Sequence, residues 1–332
     1  MRVKPGVILI TILMALLPAM IYLSFDFGIT CDERLQDARG KSVLHFYYSG
    51  LKAADLLPST RYYGSFVDTT SVLLQRFLGF LKPHETRHVL ACIFGWLGIV
   101  FTALLARKLF GIEAAFFSVF FLLVSPRYFG HSMNNSKDIP FAALFVASLS
   151  FICSFNNRYP FLTPKAVAVT ALTIGLAIAV RPAGIILFLA AGLLLFGIIY
   201  GRRNTLTKTQ VLNTVLWYVA LILGAVAIAA LFWPTLVIKP LSNVVSALQF
   251  NAQFPGQRKE LFNRSFTNIA KLPWYYLPVW LGITAPPAVL FSFALSPILL
   301  FLNTDRLRIG LLYFSILFPF VVALIARSPL YD

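Results

Sequence analysis

Val7–Phe25, read V-I-L-I-T-I-L-M-A-L-L-P-A-M-I-Y-L-S-F, decides the fold, together with the Gly28–Asp37 stretch just after it, G-I-T-C-D-E-R-L-Q-D. The first run is uncharged and long enough to cross a hydrocarbon core of about 30 Å as a helix. The second places adjacent carboxylates, Asp32 and Glu33, where that span emerges into water. Charge at the rim of a bilayer is costly unless it meets something there, so the pair reads as facing a substrate at the membrane surface. The plainer reading is a solvated pair at a helix end, and placement alone does not separate the two.

Composition extends the membrane reading to the whole chain. Of 332 residues, 59% are hydrophobic and 12% charged, against about 25% charged in soluble domains. The chain is therefore expected to be a polytopic membrane protein, all-α, in a single domain over 1–332. The net charge of +16 would suggest nucleic acid in a soluble protein. Here the basic residues sit in loops between apolar runs, so membrane lipids are the expected partners, through headgroups and lipid phosphates, and no nucleic acid is expected. Cys92 and Cys153 lie in apolar runs and Cys31 has no evident partner, so no disulfide framework is expected.

Hydropathy marks about nine spans. They are Val7–Phe25, Val89–Ala106, Ile112–Val124 (short, extending into Pro126–Phe129), Ile139–Phe155, Ala166–Val180, Ile185–Tyr200, Val211–Phe232, a segment from the Trp274–Trp280 aromatic belt to Leu302, and Ile309–Ala326. Arg2 and Lys4 predict a cytoplasmic N-terminus, and the first span is too long for a signal core and reads as a retained anchor. Threading then puts the short basic turns at 107–111, 156–165, 201–210 and 303–308 in the cytoplasm. The long segments 26–87 and 233–275, the His131–Asp138 loop and Arg181 fall on the opposite face. Apolar residues at spacings of three and four over Val72–Leu81 predict an amphipathic helix lying along the interface.

Four groups on that face could do chemistry. Asp32 and Glu33 could act as general base on an acceptor hydroxyl. His131, Asn135, Lys137 and Asp138 gather just before a span. Lys137 could hold a phosphate as a point charge, while Asp138 could instead simply cap the span, with Pro140 in its first turn. Arg181 follows a fully apolar span, where a guanidinium either binds phosphate bidentately or snorkels to the interface. Arg258, Lys259, Arg264 and Lys271 precede L-P-W-Y-Y-L-P-V-W. There Trp274 and Tyr275 either belong to an interfacial belt or stack on sugar faces. Acids and cations on one face beside lipid are the equipment for glycosyl transfer from a polyprenyl phosphate. A carboxylate takes the acceptor proton, cations stabilise the departing phosphate, and an oxocarbenium-like state needs no covalent step. With no D-x-D sequence and no metal-spaced cluster, no cofactor is expected and a divalent metal is not indicated.

The motifs resemble the membrane-integral GT-C glycosyltransferases, in the branch of protein O-mannosyltransferases and lipid A aminoarabinose transferases. Three features carry the resemblance: Asp32-Glu33 in the first noncytoplasmic loop, S-P-R-Y-F-G-H-S-M-N-N-S-K-D-I-P at Ser125–Pro140, and L-P-W-Y-Y-L-P-V-W at Leu272–Trp280 with Pro286-Pro287 following. It implies a GT-C helical bundle, a polyprenyl-phosphate sugar donor and a hydroxyl acceptor on protein, lipid or glycan. Its site would lie on the noncytoplasmic face, in a bacterial inner membrane. It also implies Asp32 as base, Glu33 in support and Asp138 as a second acid. Lys137, His131 and Arg181 would bind the donor phosphate, and Asn135, Arg264, Trp274 and Tyr275 the substrate. Ser136 departs from the Pro that many relatives carry there. The further spans or soluble domain found in many relatives are also missing, so the chain is expected to be either a fragment or a short version. Two other readings remain. A flippase for lipid-linked saccharides would need charged or broken helices at mid-membrane, and the spans are nearly uncharged at their centres. The other is a catalytically silent, truncated relative.

Overall fold

A computed structural model describes residues 4–238, 240–252, 259–302 and 305–325. It begins with α1 (Pro5–Ser24), α2 (Glu33–Tyr48), two 3-10 turns, α3 (Phe66–Phe77) and α4 (Pro83–Phe110). There follow α5 (Ile112–Leu123), α6 (Pro126–Asn134), α7 (Asp138–Arg158) and α8 (Pro164–Ile178). After the 3-10 turn Pro182–Ile185 come α9 (Ile186–Gly201), α10 (Lys208–Phe232), α11 (Thr235–Ile238) and α12 (Pro240–Ala252). A hairpin of β1 (Lys259–Phe262) and β2 (Ser265–Asn268) pairs Lys259 with Asn268 and Phe262 with Ser265. The chain continues through α13 (Tyr276–Thr284), α14 (Pro287–Leu295), α15 (Leu299–Leu302) and α16 (Arg306–Ile325).

Among the described residues, six helices are long and apolar enough to cross a membrane, or up to eight if each of two bent pairs is one span. The six are α1, α4, α7, Pro182–Gly201, α10 and α16. The expected third span is bent by 70° between α5 and α6, and the eighth by 116° between α13 and α14. Both breaks fall at prolines, Pro126 and Pro286-Pro287. A proline cannot donate to the preceding turn and pushes the residue before it out of helical geometry. The expected fifth span is α8, whose 15 residues reach only about 22 Å at 1.5 Å per residue.

The main core lies between α4, α7, α8, α9 and α10, around Ile152, Ile174, Leu187 and Leu194. A second cluster joins α1 to α4, α5 and α6 through Leu9, Leu13, Met20, Ile99 and Met133. The predicted short turns gather at one end. Lys108 Nζ donates to the Ser150 carbonyl at 2.7 Å and to Ser154 Oγ at 2.6 Å. Arg202 reaches the Tyr159 carbonyl at 3.2 Å, and Arg308 reaches Asn157 Oδ1 at 3.2 Å. At the other end lie α2, α3, the α6–α7 connection, Arg181 and the last turn of α10.

The expected interfacial helix at Val72–Leu81 starts earlier and ends earlier, as α3. Its buried residues are Val67, Asp68, Thr69 and Ser71, while Phe77 and Phe80 are exposed. Periodicity of apolar residues located its outer half and missed the polar half that packs inward. The hairpin also went unforeseen, since β1 and β2 have only 4 residues each.

Candidate active site

The ends of α2, α3, α4, α6, α7 and α8 build the site. At the first, Asp32 stands exposed just ahead of α2, with Cys31 Sγ at 3.6 Å from its Oδ1. Glu33 points the other way and is 5% exposed. Its Oε1 accepts from the Thr30 amide at 2.8 Å and the Thr30 hydroxyl at 3.1 Å, and lies 3.0 Å from His88 Nε2. Burial pushes the Glu33 carboxyl up, but the bonds to His88 and Thr30 outweigh it and hold the pKa below the usual range.

One turn further along α2, Gln36 ties that helix to the rest. Positions i and i+4 share a helix face, about 6 Å apart along the axis. Gln36 Oε1 accepts from the Ser136 hydroxyl at 2.7 Å and from Arg87 at 3.5 Å. The buried Asp68 of α3 then joins three helices. It pairs with Arg39 of α2 at 3.0 Å and with Arg87 of α4 at 3.2 Å. Burial raises the Asp68 pKa, against the pull of Arg39, Arg87 and Lys137. This packing needs Gly40, because a Cβ there would lie 2.4 Å from the Asp68 carbonyl oxygen.

The α6–α7 connection supplies the remaining charges. Asn135 Oδ1 accepts the backbone amides of Lys137 at 3.1 Å and Asp138 at 2.8 Å, so Asn135 caps α7. The Asp138 carboxylate is thereby left for other work. It pairs with Arg181 and accepts from Asn135 Nδ2 at 3.1 Å, and that same amide lies 3.2 Å from His131 Nδ1. Arg181 is thus engaged with Asp138 rather than snorkelling alone. Lys137 Nζ sits 3.7 Å from the centre of the Tyr63 ring. Burial pushes its pKa down to about 8, Arg181 and Arg39 adding to the fall and Asp138 and Asp68 opposing it. Tyr63 is held there because Gly64 abuts the end of α8. A Cβ at Gly64 would lie 2.1 Å from the Ala179 carbonyl oxygen, which accepts from the Phe66 amide at 3.2 Å. Arg39, Ser65, Asp68, Ser136 and Lys137 line a small pocket between these elements.

Of the ten residues singled out from sequence, Asp32, Glu33, His131, Asn135, Lys137, Asp138 and Arg181 come together at this end. Arg264 is exposed in the hairpin turn, and Trp274 is exposed beside Tyr275, which packs 5.8 Å from Phe262. The contacts described for these three run within the hairpin region, not to the charged cluster. The aromatic motif joins the other motif elsewhere, through Arg127 stacked 3.9 Å from the centre of the Trp280 ring. Gln36, Arg39, Tyr63, Asp68, Arg87 and His88 were not singled out. A signal was there for two of them: Arg87 and His88 open the apolar run of α4, where ionisable groups are expensive. Among the described residues, no group of three or more His, Cys, Asp or Glu is poised to hold a metal.

The bundle with its charged, loop-built end is a GT-C membrane fold. Residues 82–233, a little under half of the chain, match the family described as dolichyl-phosphate-mannose-protein mannosyltransferase. Among solved structures, ArnT from Cupriavidus metallidurans bound to undecaprenyl phosphate superposes with a TM-score of 0.63 at 20% identity, over 97% of this chain and 56% of that one. The same protein in its apo state gives 0.55 at 17% identity, over 98% and 58%. The chain thus spans a little over half the length of these structures. No curated protein matches it.

Proposed function

We propose that the chain transfers a sugar from a polyprenyl-phosphate donor to a hydroxyl acceptor at the noncytoplasmic face of a bacterial inner membrane. One contact carries the reading: Gln36 to Ser136 at 2.7 Å. It sets Asp32, one helical turn from Gln36, at the same end of the bundle as Lys137, Asp138 and Arg181. The family match and the undecaprenyl phosphate bound by ArnT support the donor class.

Lys137 and Arg181 take the donor phosphate and stabilise the charge that grows on it as the glycosidic C–O bond breaks. Asp32, exposed at the end of α2, accepts the acceptor hydroxyl proton as the new C–O bond forms. Glu33 is turned away from solvent and supports Asp32. Asp138 orients Arg181 and, through Asn135, His131. The leaving group is met by side-chain cations, so turnover is expected to survive a strong chelator. Loss of activity restored by a divalent ion would replace that part of the mechanism.

The central test is Asp32→Asn in reconstituted vesicles. Insertion and undecaprenyl-phosphate binding should persist while transfer falls by about 100-fold or more, the range lost with a general base. Transfer at the wild-type rate would remove Asp32 from the mechanism.

A further inference from the structure

We propose that His88 is a positioning residue for the transfer, holding Asp32 in place through Glu33. This rests on the reading of Asp32 as the base. The turn Thr30–Glu33 is closed on itself by Glu33 Oε1, which accepts both Thr30 donors, and it is anchored to the bundle by His88. Asp32 lies inside that turn and is exposed, and among the described residues its carboxylate bonds only the neighbouring Cys31 thiol. Its aim is therefore set by the backbone on either side, and that backbone is fixed at Glu33.

His88 is 1% exposed in the second turn of α4, so it acts from behind the site. Its Nδ1 has no hydrogen-bond partner among the described residues, and neither does Glu33 Oε2. Burying two such groups is costly, and an apolar pair would fill the same space without the penalty. Docking of α2 on α4 does not require the pair either, since Arg87 of α4 already bonds Gln36 of α2 and shares Asp68 of α3 with Arg39 of α2. What His88 adds is a fixed point for the turn that carries Asp32. A base displaced by about 1 Å can lose about 100-fold in rate.

The experiment compares His88→Gln with His88→Asn in vesicles holding undecaprenyl-phosphate mannose or undecaprenyl-phosphate aminoarabinose, reading release of undecaprenyl phosphate. A glutamine amide nitrogen stands near the position of imidazole Nε2 and can still reach Glu33, whereas that of asparagine falls short. His88→Asn should lower kcat by about tenfold to a hundredfold with the donor KM unchanged, and His88→Gln should restore kcat close to wild type. A second readout needs no turnover. Cys31 is exposed while Cys92 and Cys153 are buried, so maleimide should label Cys31 severalfold faster in His88→Asn than in wild type or His88→Gln. Equal kcat and equal labelling rates in all three proteins would overturn the proposal. Loss of the folded protein in both variants would make His88 structural and overturn it too. If Asp32→Asn remains active, the base assignment falls instead, and the thiol rates still report whether His88 holds the turn. If the wild type releases no undecaprenyl phosphate, the thiol rates alone decide.

Discussion

Lys137 is the residue through which pH should act on the site. Its pKa falls from 10.5 to about 8, chiefly because burial disfavours the charged form. The cation is present below that value and lost above it, so binding that needs the cation weakens as pH rises. Affinity for undecaprenyl phosphate should therefore drop between about pH 7 and about pH 9, and Lys137→Arg should flatten the profile, because a guanidinium keeps its proton to above about pH 12. A flat wild-type profile would take Lys137 out of the phosphate site. Lys137 and Asp138 were legible in the sequence because charge just before an apolar run is rare. Tyr63, which holds the ammonium, was not, for its place depends on a backbone contact between Gly64 and Ala179, 115 residues apart by number.

At the scale of elements, the Arg39–Asp68–Arg87 cluster couples α2, α3 and α4. Asp68→Asn leaves two buried guanidiniums short of their counter-charge, at a cost of about 3–5 kcal/mol. A clear fall in Tm in detergent is expected, along with weakened transfer, because the α2 end carrying Asp32 loses its support. Gly40→Ala should act similarly by forcing α2 off α3, and an unchanged Tm there would refute the close approach. The apolar helices themselves were readable from hydropathy, but the third and eighth runs each read as a single span, and the breaks at Pro126 and Pro286-Pro287 emerged only in the structure. The inward face of α3 was not, because its buried residues are partly polar, and apolar periodicity cannot see a buried ion pair that only a tertiary partner makes affordable.

At the scale of the whole molecule, the threading of the chain can be tested directly. Reporter fusions at 107–111, 156–165 and 201–210 should fall in the cytoplasm and fusions in 49–57 outside it, as the positive-inside rule requires. Reversal of the two sets would move the site to the other leaflet. The sequence divides the loops between two ends because alternation of spans is simple counting, and the contacts of Lys108, Arg202 and Arg308 gather the short basic turns at one of them. It could not reveal how the first loop is fastened. Trp233 donates to the Thr60 carbonyl at 2.8 Å, Ser65 to the Phe232 carbonyl at 2.9 Å through its amide, and Tyr47 to the Leu231 carbonyl at 2.6 Å. These ties have a consequence for biogenesis. Thr60 and Trp233 are 173 residues apart, so at about 5–20 residues per second a ribosome needs roughly 9–35 s to supply the second half of the clasp. Until then the first loop is held only by its ties to α3, α4 and the α6–α7 connection, and this end of the bundle is completed only after α10 has been threaded.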